Sequence, residues 1–139
     1  KPDVVIALGQ AEGRTDITPE KIAINFDHAR IPDNAGNMPN NVEIISGGAD
    51  GLFSTLPVVQ IVEKLNSAGI PASLSFSAGT FVCNHLFYSI QNYCKEKSIQ
   101  SGFVHVPLMD SQASEFPGLP TMPLNQMVEA VKLMIKIVQ

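Results

Sequence analysis

The chain has 139 residues, of which 45% are hydrophobic and 16% are charged, and its formal net charge is −4. This composition predicts a single globular domain over residues 1–139 with one sizeable core. The negative charge and the lack of any Lys/Arg run argue against nucleic acid as a partner, because neutralising phosphates needs clustered cations. No segment approaches the roughly 18 to 20 apolar residues of a membrane span, so we expect no membrane partner.

The first half of the chain alternates strand patterns with segments rich in Gly, Pro and Asn. The apolar run Val4–Leu8 predicts a strand buried on both faces. Lys21–Phe26 alternates polar and apolar residues, which predicts a half-buried strand. Residues 30–56 predict a long irregular loop, in which only Val42–Ile45 resembles a short strand.

Helix and strand patterns then alternate regularly. Apolar residues at positions 58–65 follow helical spacing, and Gly69 followed by Pro71 supplies the signals that end a helix. Ala72–Phe76 predicts the next strand, and a helix should extend from about Val82 to Lys97.

The last third of the chain predicts one more strand and one more helix. Gly102–Val106 is a short strand pattern closed by a proline, residues 109–122 predict a loop, and Pro123 suits the first turn of a final helix. Strands separated by helices favour parallel pairing with helices on both faces. We therefore predict an α/β fold, a three-layer α/β/α sandwich around a mostly parallel twisted sheet.

Cys83 is the first candidate for chemistry, because it lies where a strand should turn into a helix. The first N–H groups of a helix lack intrahelical partners, so they favour a thiolate and can bind an oxyanion. The alternative is that Cys83 only begins the buried stripe of its helix. Cys94 follows about three turns later, too far away for a disulfide, and free thiols favour a cytoplasmic location.

Three histidines are candidate bases for a cysteine nucleophile. His105 lies near the end of a predicted strand, at the sheet edge where Cys83 is expected; the alternative is a hydrogen-bonded core residue. His85 is two residues from Cys83 and should point elsewhere, and His28 should be a solvated loop residue. The histidines and cysteines lack the paired spacings of zinc ligands, so we expect no metal and no cofactor.

Two further polar residues lie near the predicted strand ends. Glu20 follows Thr18-Pro19 and could cap a helical turn, or could act together with a partner. Gln10 follows the first strand directly and could contact a ligand, or could be a turn residue.

Six segments, taken together and in order, are similar to one known family. They are Gln10, Gly13-Arg14, Ile17–Asn25, Ala29–Asn34, Ser77–Asn84 and Gly102–Pro107. The chain resembles the pyroglutamyl peptidase I family of cysteine peptidases over essentially its whole length. The resemblance implies a catalytic triad with Cys83 as the nucleophile, His105 as the general base and then acid, and Glu20 as the group that orients the imidazole.

The resemblance also implies a substrate and a fold type. The family removes N-terminal pyroglutamyl residues from peptides, within a phosphorylase/hydrolase-like fold, and its members often form homodimers or homotetramers. Gln10 would recognise the lactam of the pyroglutamyl ring, while Ile31, Phe81 and Val82 would line the apolar slot that holds the ring.

The front of the chain departs from the family pattern. The family begins with a further strand, a loop with Phe and Gly residues, and a helix before the position of Lys1, so we expect this chain to be the C-terminal portion of a longer one. One alternative is a truncated, catalytically silent binding or scaffold domain. A phosphate or nucleotide binder that uses Ser77–Thr80 is less favoured, because this turn lacks the lysine of a P-loop and spaced glycines.

Overall fold

Seven short strands, three α-helices and one 3₁₀ turn make up the computed structural model, which describes residues 1–139. The strands are β1 (Val4–Gln10), β2 (Thr18–Pro19), β3 (Ile22–Ile24), β4 (Gly51–Phe53), β5 (Gln100–Val106), β6 (Leu108–Met109) and β7 (Thr121–Met122). The helices are α1 (Val58–Ser67), α2 (Val82–Lys95) and α3 (Leu124–Val138), and the 3₁₀ turn is Asp110–Gln112. The predicted α/β class is confirmed.

The central strand of the main sheet is β5, with β1 on one side and β2 on the other. β1 is parallel to β5 over its whole length, whereas β2 is antiparallel to it and places Thr18 opposite His105. β1 lies at the edge of this sheet, and Leu8 is 48% exposed. The prediction that the first strand is buried on both faces is therefore wrong, because the strand is only half-buried.

The segment Ala72–Phe76, predicted as a strand, runs parallel to the chain around β2 but forms only isolated bridges. The Ser73 N–H donates to the Ile17 carbonyl oxygen (3.1 Å), and the Ser75 N–H donates to that of Pro19 (3.0 Å). The intervening bond of a parallel ladder would need an N–H on Pro19, which proline lacks. The ladder is interrupted there, so the prediction of a continuous strand is wrong.

Helices cover both faces of the sheet and form the predicted three layers. α1 and α3 pack together on one face over a core cluster of 12 buried residues. α2 covers the other face, where Phe87 and Phe103 belong to a smaller cluster. Because side chains alternate along a strand, Val104 of β5 faces the first cluster, whereas Phe103 and His105 share the α2 side. The sheet thus directs His105 toward the helix that begins beside Cys83.

The two long connecting segments contain elements that the sequence did not predict. Within residues 30–56, β4 pairs antiparallel with β3, and Val42–Ile45 contributes only a single bridge, between Val42 and Asp27. Within residues 109–122, part of β6 and all of β7 belong to a short parallel pair, with the 3₁₀ turn between them. No helix combines the length and the apolar character that crossing a membrane requires.

Candidate active site

His105 and Glu20 form a buried, directly contacting pair at the centre of the sheet. His105 is 4% exposed and Glu20 is fully buried, and His105 Nδ1 lies 2.7 Å from Glu20 Oε1. β2 brings the carboxylate to this place, because the Glu20 N–H donates to the Phe103 carbonyl oxygen (2.9 Å) as the chain passes alongside β5. Two residues 85 positions apart in sequence thus become direct partners.

The hypothesis that Thr18-Pro19-Glu20 forms a helical turn is wrong. Thr18 and Pro19 form β2, and Glu20 continues the extended path as a bridge partner of Ser75. The backbone groups of this segment bond to β5 on one side and to residues 71–75 on the other, which leaves none of them for a helical turn.

Cys83 is the second residue of α2. Phe81, the residue just before α2, has an extended backbone, and no side chain caps the first N–H groups of the helix. Cys83 is partly buried and lies close to the backbone of Gly9, since a Cβ on Gly9 would lie 3.3 Å from Cys83 Sγ and 2.7 Å from the Phe103 ring. Glycine at position 9 therefore provides the space in which the thiol sits.

The thiol lies on the same side of the sheet as the imidazole, since Cys83 and Phe103 both approach Gly9. Burial lowers the pKa of His105, but the influence of Cys83 and the hydrogen bond with Glu20 outweigh it and hold the pKa above its ordinary value of 6.5. Because Nδ1 faces Glu20, Nε2 is the nitrogen left for Cys83. The structure thus brings Cys83, His105 and Glu20 together in the order thiol, imidazole, carboxylate.

The Glu20 carboxylate is held ionised by several neighbours. Burial raises the pKa of Glu20, but the hydrogen bond with His105, the nearby Ser75 hydroxyl and the positive charge of Arg14 outweigh it and lower the pKa below 4.5. Arg14 Nη1 lies 2.9 Å from Oε1, the same oxygen that faces His105. The other oxygen, Oε2, is buried without a well-formed hydrogen bond, since the nearby Ser75 hydroxyl donates to the Ser77 carbonyl oxygen (3.3 Å).

The residues predicted to bind the pyroglutamyl ring do not all lie in one place. Phe81 and Val82 line an open cavity of about 560 Å³, and Ile31 is 62% exposed and is not among its lining residues. The other residues lining that cavity are Asp27, Asp33, Asn37, Met38, Pro39 and His85. Gln10 ends β1 next to Gly9, but its side chain is bonded to that of Gln112, with 2.7 Å from Gln10 Nε2 to Gln112 Oε1. The structure therefore brings Phe81 and Val82 together and leaves Ile31 and Gln10 outside.

The other two histidines have separate environments. His85 Nδ1 lies 2.6 Å from Asp27 Oδ2, on the surface beside Phe81 and Val82, and His28 is exposed. No group of three or more His, Cys, Asp or Glu side chains is arranged to hold a metal ion.

Two residues that support the site had no role assigned from the sequence. Asn84 is 1% exposed and fixes the start of α2 to β3, with its amide group bonded to the N–H (3.0 Å) and the carbonyl oxygen (2.9 Å) of Ile24. Arg14 contacts Glu20 from the loop that follows β1. Both stand in the segments that carry the family resemblance, which is the signal that could have identified them.

Comparisons with known proteins agree with this geometry. The sequence model of the family described as pyroglutamyl peptidase matches residues 1–139. The pyrrolidone-carboxylate peptidase of Vibrio parahaemolyticus is 51% identical over 138 residues, which are 99% of this chain and 65% of that protein. A pyrrolidone-carboxylate peptidase of Bacillus cereus is 49% identical over 138 residues, which are 98% of this chain and 64% of that protein.

Solved structures give the same result. The crystal structure of pyroglutamyl peptidase I from Bacillus amyloliquefaciens superimposes with a TM-score of 0.94 at 41% identity, covering 99% of this chain and 66% of that one. Pyrrolidone carboxyl peptidase from Thermococcus litoralis gives 0.94 at 35% identity with the same coverage. The chain spans about 65% of the length of the curated relatives that it matches. By sequence and by fold, the chain belongs to the pyroglutamyl peptidase family.

Proposed function

We propose that the protein represented by this chain is a cysteine peptidase that removes N-terminal pyroglutamyl residues from peptides. The observation that carries the proposal is the buried pairing of His105 with Glu20 beside Cys83, in a chain that matches the family over its whole length. A thiol, an imidazole and an orienting carboxylate are the groups that acyl transfer through a covalent intermediate needs.

The first half of the reaction forms an acyl-enzyme. Cys83 Sγ, after giving its proton to His105, attacks the carbonyl carbon that joins the pyroglutamyl residue to the rest of the peptide. The oxygen of that carbonyl takes the negative charge, and free N–H groups at the start of α2 stabilise it. His105 then donates its proton to the amide nitrogen, the C–N bond breaks, and the shortened peptide leaves as an amine.

The second half releases the pyroglutamyl group. A water molecule attacks the thioester carbonyl while His105 accepts one of its protons, and the C–S bond then breaks. The proton returns from His105 to the Cys83 sulfur, and free pyroglutamate leaves. Glu20 keeps the imidazole in one orientation and stabilises its protonated form in both halves.

The substrate ring is a neutral lactam, so its site should combine apolar walls with a few hydrogen bonds. Phe81 and Val82 are adjacent to Cys83 and supply apolar surface in this proposal, with Ile31 contributing from the neighbouring loop. Gln10 would hydrogen-bond the lactam after its side chain leaves Gln112, because it directly follows Gly9, the residue whose backbone approaches the thiol.

The test is hydrolysis of a fluorogenic pyroglutamyl amide by the intact protein. Cys83→Ser should abolish turnover, because a serine hydroxyl in this setting is a far weaker nucleophile, and iodoacetamide should inactivate the unmodified protein. Cys94→Ser is the matched control, since Cys94 lies on the same helix but is 2% exposed and distant from His105. Turnover that survives Cys83→Ser would disprove this mechanism. Binding of pyroglutamyl peptides without any turnover would instead favour a silent binding domain.

We also propose that the protein is cytoplasmic and forms a homo-oligomer. The two thiols of α2 are both free, which suits the reducing cytoplasm. Leu124, Val128 and Ile135 leave an exposed apolar stripe on α3, which supports association of the intact protein into a homo-oligomer. Sedimentation equilibrium of the intact protein, with Val128→Lys as a variant that should weaken assembly, measures this directly.

A further inference from the structure

We propose that Arg14 is a positioning residue of this site, whose guanidinium ties together the three chain segments that carry Glu20, His105 and Cys83. The proposal rests on the triad proposed above and adds to it a residue that contacts neither the thiol nor, in the proposed mechanism, the substrate.

The guanidinium of Arg14 has three acceptors. Nη1 donates to Glu20 Oε1 (2.9 Å) and, through a short hydrogen bond, to Thr18 Oγ1. Nη2 donates to the carbonyl oxygen of Ser77 (3.3 Å). A planar group with several donors in a fixed arrangement can serve these acceptors at once, which a lysine ammonium on a flexible stem does less well.

Each acceptor leads to a different part of the triad. Glu20 Oε1 faces His105 Nδ1, and the Thr18 hydroxyl donates to the backbone carbonyl oxygen of His105 (3.4 Å). Ser77 lies in the segment that leads into α2 and Cys83. One side chain is thus bonded to the carboxylate, to the strand that pairs with His105, and to the approach to the nucleophile helix.

The loop after β1 is shaped to deliver this side chain. The Ala11 N–H donates to the Val106 carbonyl oxygen (3.0 Å), which extends the pairing of β1 with β5 by one residue. Gly13 then adopts a φ of 81°, a conformation that glycine tolerates and most other residues avoid, so the chain turns back. Arg14 follows immediately, and its side chain is 25% exposed although its Glu20 partner is fully buried.

The charge of Arg14 also acts on the whole cluster. It lowers the pKa of Glu20, which keeps the carboxylate ionised, and it lowers the pKa of His105, which opposes the raising effects of Cys83 and Glu20. Glu20, Cys83 and Arg14 are the charged and titratable groups that act on His105. Removal of the Arg14 charge should therefore raise the pKa of His105.

The test uses NMR titration of the histidine ring signals in the intact protein, a readout that requires no catalytic activity. In Arg14→Met the His105 signal should titrate at higher pH than in the unmodified protein, whereas in Arg14→Lys it should stay close to the original pH. His105→Asn assigns the signal. Lys132→Met, which removes a charge from an exposed pair on α3, should leave the His105 titration in place.

Kinetics of the intact protein give the second readout. Arg14→Lys and Arg14→Met should both lower kcat by roughly 10- to 100-fold with little change in KM, because the residue aligns the reacting groups without binding substrate. An unmoved His105 titration in a folded Arg14→Met variant would overturn the proposal. If Arg14→Met does not fold, full kcat in Arg14→Lys would overturn it, since a charge without the three-way contact would then suffice. An unmodified protein without turnover would count against the triad, while the titration would still decide the role of Arg14.

Discussion

The molecule contains two histidine–carboxylate pairs with nearly equal geometry and different surroundings. His105 and Glu20 are 2.7 Å apart, and His85 and Asp27 are 2.6 Å apart. The side chain of His105 is 5% exposed and that of Glu20 is 0% exposed, whereas the side chain of His85 is 54% exposed. The inner pair also has a thiol and a guanidinium in contact with it. A pair that is suited to catalysis is thus distinguished by its burial and by the groups around it, and not by the length of one hydrogen bond.

Burial strengthens the interaction between Glu20 and His105. A charge that is removed from solvent interacts more strongly with its neighbours, so Glu20 can hold the imidazole in one orientation and favour its protonated form. In the outer pair Asp27 is also buried, but the His85 ring is in contact with solvent, which competes for the hydrogen bond. His85 and Asp27 therefore serve as an internal reference for substitutions made at His105 and Glu20.

The largest effect is expected from replacing the two histidines in turn. His105→Asn should lower kcat of the intact protein by roughly 1,000-fold or more, because both the base and the acid of the reaction are lost. His85→Asn should change kcat by less than about 3-fold, since an exposed ring can be replaced by solvent. Steady-state hydrolysis of a pyroglutamyl amide measures both. Equal losses in the two variants would contradict the distinction between the pairs.

Replacing the carboxylates should give a smaller contrast. Glu20→Gln should lower kcat by roughly 100-fold, because an amide of the same shape no longer stabilises the imidazolium and can favour the wrong imidazole tautomer. Asp27→Asn should leave kcat within about 3-fold. The same assay applies, and circular dichroism should confirm that both variants are folded. A Glu20→Gln variant with normal kcat would show that the inner carboxylate has no role in the reaction.

The contact between the thiol and the inner pair depends on the lack of a side chain at Gly9. Gly9→Ala should lower kcat by about 10-fold and destabilise the chain by about 1–3 kcal/mol, since the added Cβ would overlap the Phe103 ring and press on Cys83 Sγ. Gly102→Ala is the matched control. Its Cβ would overlap Ser54 Oγ (2.5 Å) and Leu56 on the α1 and α3 side of β5, so it should destabilise the chain without a specific loss of kcat. Urea unfolding and kinetics separate the two effects.

Much of this architecture follows from local patterns in the sequence. The apolar spacing of α1, α2 and α3 and the apolar runs of β1 and β5 are strong signals, because each of these elements is long enough to repeat its pattern. β4 has only three residues and lies in a glycine-rich segment, so its strand character depends on pairing with β3. Ala72–Phe76 does not form a continuous strand because Pro19, in the segment paired with it, lacks an N–H. The sequence of Ala72–Phe76 itself contains no sign of this.

The same distinction between local patterns and long-range contacts applies to the candidate site. The positions of Cys83 and His105 near the ends of sheet elements could be predicted from the α/β alternation, while the pairing with Glu20 came only from the family resemblance. Arg14 could not be assigned from periodicity, because its contacts depend on a glycine turn and on three acceptors that are distant in sequence from one another. The separation of Gln10 from Phe81 and Val82 likewise follows from a side-chain bond to Gln112, which no local pattern reveals.

The smallest expected effect is a pH dependence of stability that distinguishes the two histidine pairs. The pKa of His105 in the folded chain lies above its ordinary value of 6.5, so the folded state holds the proton more tightly than the unfolded state. This contribution to stability is fully present below pH 6.5 and is lost as the pH rises through the folded pKa. The free energy of unfolding from urea titrations should therefore fall with pH in that window, by at most about 1.4 kcal/mol for each pH unit.

His105→Asn should remove this part of the slope, and His85→Asn should keep it, since the proton in question is the one that His105 binds. At the acid end the sign reverses for Glu20, because its pKa is lowered on folding: its contribution is present above pH 4.5 and is lost as the pH falls through the folded pKa. A slope above pH 6.5 that persists unchanged in His105→Asn would show that the inner pair does not hold its proton more tightly in the folded chain, and the electrostatic distinction between the two pairs would fail.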